Sequence, residues 1–403
     1  MRPTRFPTAC LGVAAATLSP IVAAQHSPND VDYDRQTNRL MLAMLLDDDG
    51  KRLIDPDTLD EISEHINDHQ DPRPGTVRIY WENDGFAHDP FDSYDRHYTN
   101  GFAIVLEHQP AWADALRPYM PFAELFAQAH GEADTGAGYV LSQLLFTPDN
   151  LSATAPIPTD QPYAGYLYGG VFWQRQAGYR GRDDVAVFDH FEVNVGVVGD
   201  SSLGEDIHEG VHDLVNGIDP KGWDNQLADE VTGQFYYRRK WRIDLGSVDL
   251  PWLEGLDMQV IPQAGLALGS VYRYADAAAT FRIGYQLPDD FGPGRINDLQ
   301  SASGDAYHNN GWSWYVYGRV GGRAVQHDLF LDGSNTDDPS LSVDKEPLVG
   351  ELQGGFAISY RPNHNHRFDL TWGLTYTTDT FDAPGNRGTD SYGTFVISWV
   401  KTF

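Results

Sequence analysis

The sequence predicts an all-β fold, an antiparallel outer-membrane β-barrel of about twelve strands. Three observations predict it. The first 24 residues carry Arg2 and Arg5, no acid, and an apolar stretch through Leu11, Val13, Leu18, Ile21 and Val22 that ends in Ala23-Ala24, the pattern of a secretory signal peptide. Beyond it no run reaches the roughly 18 apolar residues of a transmembrane helix, so any passage through a membrane must use strands closed into a barrel. From Thr76 onward the dominant period is two, and it runs to an aromatic last residue, Phe403.

Taken in order, residues 25–75 form a polar, acid-rich extension with two short helical patterns, Leu40, Met41, Met44 and Leu45, then Leu59, Ile62 and Ile66. The barrel is expected over residues 76–403. Its first strand puts Val77, Ile79 and Trp81 on one face and Arg78, Tyr80 and Glu82 on the other. Further strands are predicted near residues 99–108, 138–146, 163–177, 187–199, 232–244 and 257–268. The last five fall near 277–283, 313–325, 350–360, 367–377 and 394–403, the final one with Phe395, Ile397, Trp399, Lys401 and Phe403 on one face. Two links resist this scheme: 109–137, with Trp112, Leu116, Phe122, Leu125 and Phe126 at helical spacing, and 284–312. Both should be short periplasmic turns, and both are long.

Composition narrows the function. Twenty-eight basic against 58 acidic side chains give a formal net charge of -30, which repels a phosphate backbone and excludes a nucleic-acid binder. The only cysteine, Cys10, lies within the signal peptide, so an exported chain would carry no disulfide and no thiolate metal ligand.

A barrel that starts in the periplasm sends the links after its odd strands outside. Four polar clusters then share one side of the outer rim: Glu82-Asn83-Asp84-Gly85, Asp95 to Gly101, Asp160 to Gly165, and the stretch from Asp206 through His208, His212 and Asp213 to Gly222-Trp223 and Gln226-Leu227. Asp84 with Glu82 and nearby carbonyls could hold a hard cation. His212 or His208 could serve as general base, and Asn83, Thr99 and Asn100 could donate hydrogen bonds to an oxyanion. Together they suit a metal-assisted ester hydrolysis with water as nucleophile; no Gly-x-Ser-x-Gly elbow offers a serine. Each also has a plain structural reading, since Asn-Asp-Gly makes turns, loop histidines are commonly solvated, and tryptophan anchors barrels at the membrane interface.

As an ordered set these motifs resemble the outer-membrane lipid A 3'-O-deacylase family, with Phe330-Leu331-Asp332-Gly333-Ser334 and Ser342-Val343-Asp344-Lys345 similar to its late loop. The resemblance implies a twelve-stranded barrel that removes the 3'-linked acyloxyacyl chain of lipid A with Ca2+; such a barrel is expected to be a monomer. It implies Asp84 at the calcium, His212 activating water, and Asn83 with Thr99 or Asn100 shaping the site and its oxyanion hole. Two departures stand out: Gln161 stands where the family tends to be basic before Pro162-Tyr163-Ala164-Gly165, and for the further acid expected downstream of the histidine Asp219 is only a loose match. The competing readings are a porin or structural barrel, and an esterase acting on phospholipids.

Overall fold

Alternation along each segment decides the architecture, because every strand offers one apolar and one polar face and closure alone hides both sheet edges. The computed structural model describes residues 74–87, 96–108, 129–179, 182–215, 220–251, 253–300, 310–337, 340–363, 365–382 and 389–402, together with Ala113 and Ala115. The expected signal peptide over residues 1–24, residues 25–73 of the expected extension, and Asp95 and Asp219 lie outside the described residues.

Twelve antiparallel strands close into a barrel. They are β1 (Pro74–Asn83), β2 (His97–His108), β3 (Ala129–Thr147), β4 (Ala164–Tyr179), β5 (Arg182–Val198), β6 (Glu230–Leu250), β7 (Leu253–Gly269), β8 (Tyr272–Tyr285), β9 (Gly311–Asp328), β11 (Leu348–Asn363), β12 (His366–Thr378) and β14 (Thr389–Thr402). Two-residue strands β10 (Asp344–Lys345) and β13 (Phe381–Asp382) pair with each other. Neighbours in sequence are neighbours in the wall, and β1 closes the circle on β14 with Glu82 opposite Thr394. Each of the twelve expected segments is a barrel strand, and the expected parity of the links holds.

The two faces separate as predicted. Ile79, Trp81, Phe102, Val195, Val320 and Ile397 are exposed on the outside, where lipid would meet them, while Arg78, Tyr80, Glu82, Thr394 and Ser398 are buried inside. Among the described residues no helix is long and apolar enough to cross a membrane; the strands are the crossing elements.

The two awkward links resolve differently. β3 begins at Ala129, earlier than alternation signals, because His130 to Gly136 pair with β4 through a register shift although they are polar and glycine-rich. Of the region with helical spacing only Ala113 and Ala115 are described, both helical. The link after β8 is long because it folds into the lumen. There Asp290 pairs with Arg282, Phe291 stacks on Phe188 with ring centroids 5.1 Å apart, and Lys240 holds Asp298 at 2.8 Å. Ile296 N–H donates to Glu82 at 2.9 Å and Gln300 N–H to the Tyr80 hydroxyl at 3.1 Å.

From the opposite rim a second plug descends. Helix α2 (Leu329–Asp332) buries Leu329, Phe330 and Leu331, and Phe330 stacks on Phe146 at 4.0 Å. Its loop is tied down by Glu230, which accepts from Ser334 Oγ at 2.8 Å and from the Asn335 amide at 2.7 Å. The family-like motif at 330–334 thus closes the lumen from above.

Candidate active site on the outer wall of the barrel

The link between β5 and β6 carries helix α1 (Gly204–Val215) and a short turn at Trp223–Asn225. Both pack outside the wall. Leu145 of β3 points outward between the lumen-facing Leu144 and Phe146, and it forms one apolar cluster with Leu151, Tyr163, Trp223 and Ile207. Helix α1 reaches the wall because β4 carries Gly165 there: a Cβ at that position would stand 2.1 Å from Ser202 Oγ and 3.0 Å from Gly204 Cα. The Pro-Tyr-Ala-Gly segment is therefore a seat for the helix.

His208 and His212 lie one turn apart on α1, on the same face, and both are buried. Their rings meet edge to face at 4.4 Å, and Trp223 Nε1 donates to His208 Nδ1 at 3.2 Å. That bond fixes the tautomer of His208, leaving its proton on Nε2. His208 is thus a packed partner of His212 and not a solvated loop residue. Asp213 shares α1, and its side chain is not among those described.

Two strands over, the amide cluster is assembled. Trp81 Nε1 donates to Asn100 Oδ1 at 3.0 Å, and Asn83 Nδ2 donates to the same oxygen at 3.3 Å and to Thr99 O at 3.1 Å. A register shift between Tyr98 and Asn100 makes this possible, giving Thr99 an extra-residue position in which its hydroxyl meets that of Thr147 at 2.7 Å. Asn83, Thr99 and Asn100 are brought together. With two donors converging on Asn100 Oδ1, its Nδ2 is the end left free to donate.

Asp84 leaves the strand in a 3-10 turn and is buried; its carboxylate accepts from Gly85 N–H at 2.8 Å and Arg96 N–H at 2.6 Å. Glu82 does not join it. Its carboxylate faces the lumen, accepting from the Tyr98 hydroxyl at 2.7 Å and from Ile296 N–H. Among the described residues no group of three or more His, Cys, Asp or Glu side chains gathers where a metal could bind. Asn83 Oδ1 accepts from the same Gly85 N–H at 2.9 Å, which puts a neutral amide oxygen beside the Asp84 carboxylate, a hard pair of oxygen donors.

One residue at the rim was not singled out in the sequence. His97 adopts a left-handed backbone, φ 59°, unusual for a residue with a side chain. Its ring is held at both nitrogens, Nδ1 2.7 Å from Asp390 and Nε2 3.2 Å from Asp160, and Arg96 also reaches Asp390 at 3.1 Å. This clamp ties the start of β2 to the link before β4 and to β14. Burial opposes the charge on Asp160, yet the His97 ring and the amides of Asp149 and Gln161 outweigh it and hold the carboxyl below its usual range. The aspartates are far apart in sequence, so only closure of the barrel reveals the clamp.

Residues 62–400 match the family described as outer membrane protein LpxR. The chain belongs to that family. Among solved structures, LpxR from Salmonella typhimurium matches with a TM-score of 0.59 at 17% identity, covering 81% of this chain and 100% of that one. The β domain of the Bordetella autotransporter BrkA gives a TM-score of 0.44 at 10% identity over 83% of this chain and all of the other. The translocator domain of NalP from Neisseria meningitidis gives 0.38 at 8% over 86% of this chain and 95% of its own. No curated protein matches. Membership bears out the resemblance read from the motifs and assigns the chain to the outer membrane, as a protein of the lipid A-modifying kind.

Proposed function

We propose that the protein is a calcium-dependent lipid A 3'-O-deacylase acting on lipopolysaccharide in the outer leaflet. The observation that carries this reading is the placement of α1, with His208 and His212, against the outward face of β3 and β4, beside the amide cluster of β1 and β2. Chemistry mounted on the lipid side of the wall suits a substrate that never leaves the leaflet. A porin is disfavoured by the lumen, where the 286–300 segment and α2 fill the space a channel needs.

In this mechanism the neutral ring of His212 accepts a proton from water as the water oxygen attacks the ester carbonyl. Charge on the tetrahedral oxygen is met by Asn100 Nδ2 and the Thr99 hydroxyl, while Asn83 and Trp81 keep the Asn100 amide oriented. As the carbon–oxygen bond breaks, the imidazolium returns its proton to the departing 3'-oxygen, leaving a free hydroxyl on the sugar and a released acid. Asp84, with neutral oxygens near it, would hold calcium, whose bound charge would polarise the ester carbonyl. Glu82, turned into the lumen, is left out of that ligand set.

Mass spectrometry of lipid A from cells expressing the protein tests the whole reading. Loss of the 3'-acyloxyacyl mass, abolished by chelator and restored by calcium, is expected, with a calcium-induced rise in the unfolding temperature of purified barrel that Asp84→Asn removes. Unchanged lipid A with shortened glycerophospholipids would transfer the activity to a phospholipid esterase. No change in either lipid would end the enzymatic reading.

A further inference from the structure

Inside the barrel, away from the wall site, lies a polar cavity of about 120 Å³ that extends up to the rim residues Gln161, Thr380 and Asp390. Below it a smaller space of about 30 Å³ shares its lining and is bounded by four guanidinium groups, Arg238, Arg295, Arg319 and Arg323, against two carboxylates, Asp276 and Glu351. We propose that this lower cavity binds a phosphate-type oxyanion.

Charge balance is the first argument. Arg238 is held by Asp276 and Asp298, each at 3.1 Å, and Lys240 by Asp298 at 2.8 Å. Arg295 meets Glu351 at 2.6 Å, and Arg319 pairs with the same carboxylate. With Arg323 that makes five cations served by three acids, an excess of two positive charges enclosed by protein, in a chain whose overall charge is -30. Enclosed guanidinium groups that outnumber their ion-pair partners are costly, and a bound oxyanion would complete them.

Unused donors are the second. Among the described residues Arg323 has no hydrogen bond or ion pair; its guanidinium lies over the Tyr274 ring, 5.9 Å from the centroid. Arg295 uses only Nη1, toward Glu351 and the Tyr392 hydroxyl at 3.2 Å, and the Nε atoms of Arg238 and Arg319 are buried without a partner. Planar forks with free N–H groups converging on one space match the tetrahedral oxygens of phosphate.

Of the other acids that line the upper cavity, Asp390 is paired with cations outside this group, while Glu82 and Asp328 accept only from neutral donors and offset the positive charge through space without occupying any of the free N–H groups. Glu82 accepts from Tyr98 and Ile296, Asp390 is held by Arg96 and His97, and Asp328 accepts from Phe330 N–H at 3.1 Å. Asp328 feels Arg323 through space, but no ion pair joins them.

Two sources share this chemistry, free phosphate and a sugar phosphomonoester such as a glycolipid headgroup carries. The test titrates refolded full-length barrel, in a phosphorus-free detergent, with inorganic phosphate and separately with glucosamine 1-phosphate, read by calorimetry. Saturable binding is expected, at least tenfold weaker in Arg323→Gln and unchanged in Arg182→Gln, whose side chain is exposed and paired with Asp184. Tighter binding of the sugar phosphate would name the headgroup as occupant, and tighter binding of phosphate the free ion. If Arg323→Gln fails to refold, Arg323→Lys, which keeps the charge but loses the fork, should still bind at least threefold more weakly. No saturable binding of either probe, or binding equal in wild type and both Arg323 variants, would overturn the assignment.

Discussion

The lumen and the outer wall of this barrel both carry polar groups and use them in opposite ways. In the lumen, Asp290, Asp298 and Gln300 of the inward-folded link meet Arg282, Lys240 and Tyr80 from the strands, so polar pairs there complete the filling that the apolar cluster around Phe146, Tyr166 and Phe330 begins. On the wall, His208, His212, Asn100 and Thr99 are held by only a few bonds each, and their support is a glycine seat, an aromatic turn and a one-residue bulge. On the proposed reading, the dense charge inside this barrel serves its architecture, whereas the polar groups held against its outer wall serve its chemistry.

That contrast breaks first at His212. Replacing it with Gln should lower deacylation about 10²–10⁴-fold, the range for a general base, while heat-modifiable migration and β-rich circular dichroism stay unchanged. His208→Gln, which loses the Trp223 bond and the contact with His212, should show a smaller but measurable loss. Wild-type rates in His212→Gln would remove the base from this helix face.

The lumen should answer in stability. Asp298→Asn leaves Arg238 and Lys240 without their shared carboxylate and should destabilise the barrel by about 3–5 kcal/mol, the usual cost of breaking a buried pair. Denaturant unfolding in detergent checks this, and the turnover of the surviving folded fraction should equal wild type. A selective loss of turnover with intact stability would erase the distinction between the two regions.

Much of this was legible beforehand. Period-two alternation locates all twelve strands, and parity places Asn83, Thr99, Asn100 and His212 at one rim from the sequence alone. What stayed hidden depends on contacts between distant segments. The plug was opaque because Asp290 to Gln300 carry no period, although the lumen-facing Arg238, Lys240, Arg282 and Arg319 signalled a need for anionic partners inside. Glu82 looked like a partner for Asp84 by adjacency, yet alternation turns it toward Tyr98. His97 gives no signal of its own, since Asp160 in the link before β4 and Asp390 in β14 meet it only when the barrel closes.

The clamp at His97 gives the smallest effect and separates rim from lumen. Asp160 has a folded value below its unfolded one, near 3.9, so its charge contributes stability that is fully present above that value and lost as the pH falls through the lower folded value. Asp160→Asn should therefore be less stable than wild type at neutral pH, and the gap should close on the acid side of about pH 4. Because the carboxylate is partly open to solvent, the difference should be modest, a shift of a few degrees in the unfolding temperature. Thermal scans of both proteins from neutral to acid pH decide it: curves that stay parallel across the whole range would mean that the clamp acts by shape and not by charge, and the rim would then resemble the wall site more than the lumen.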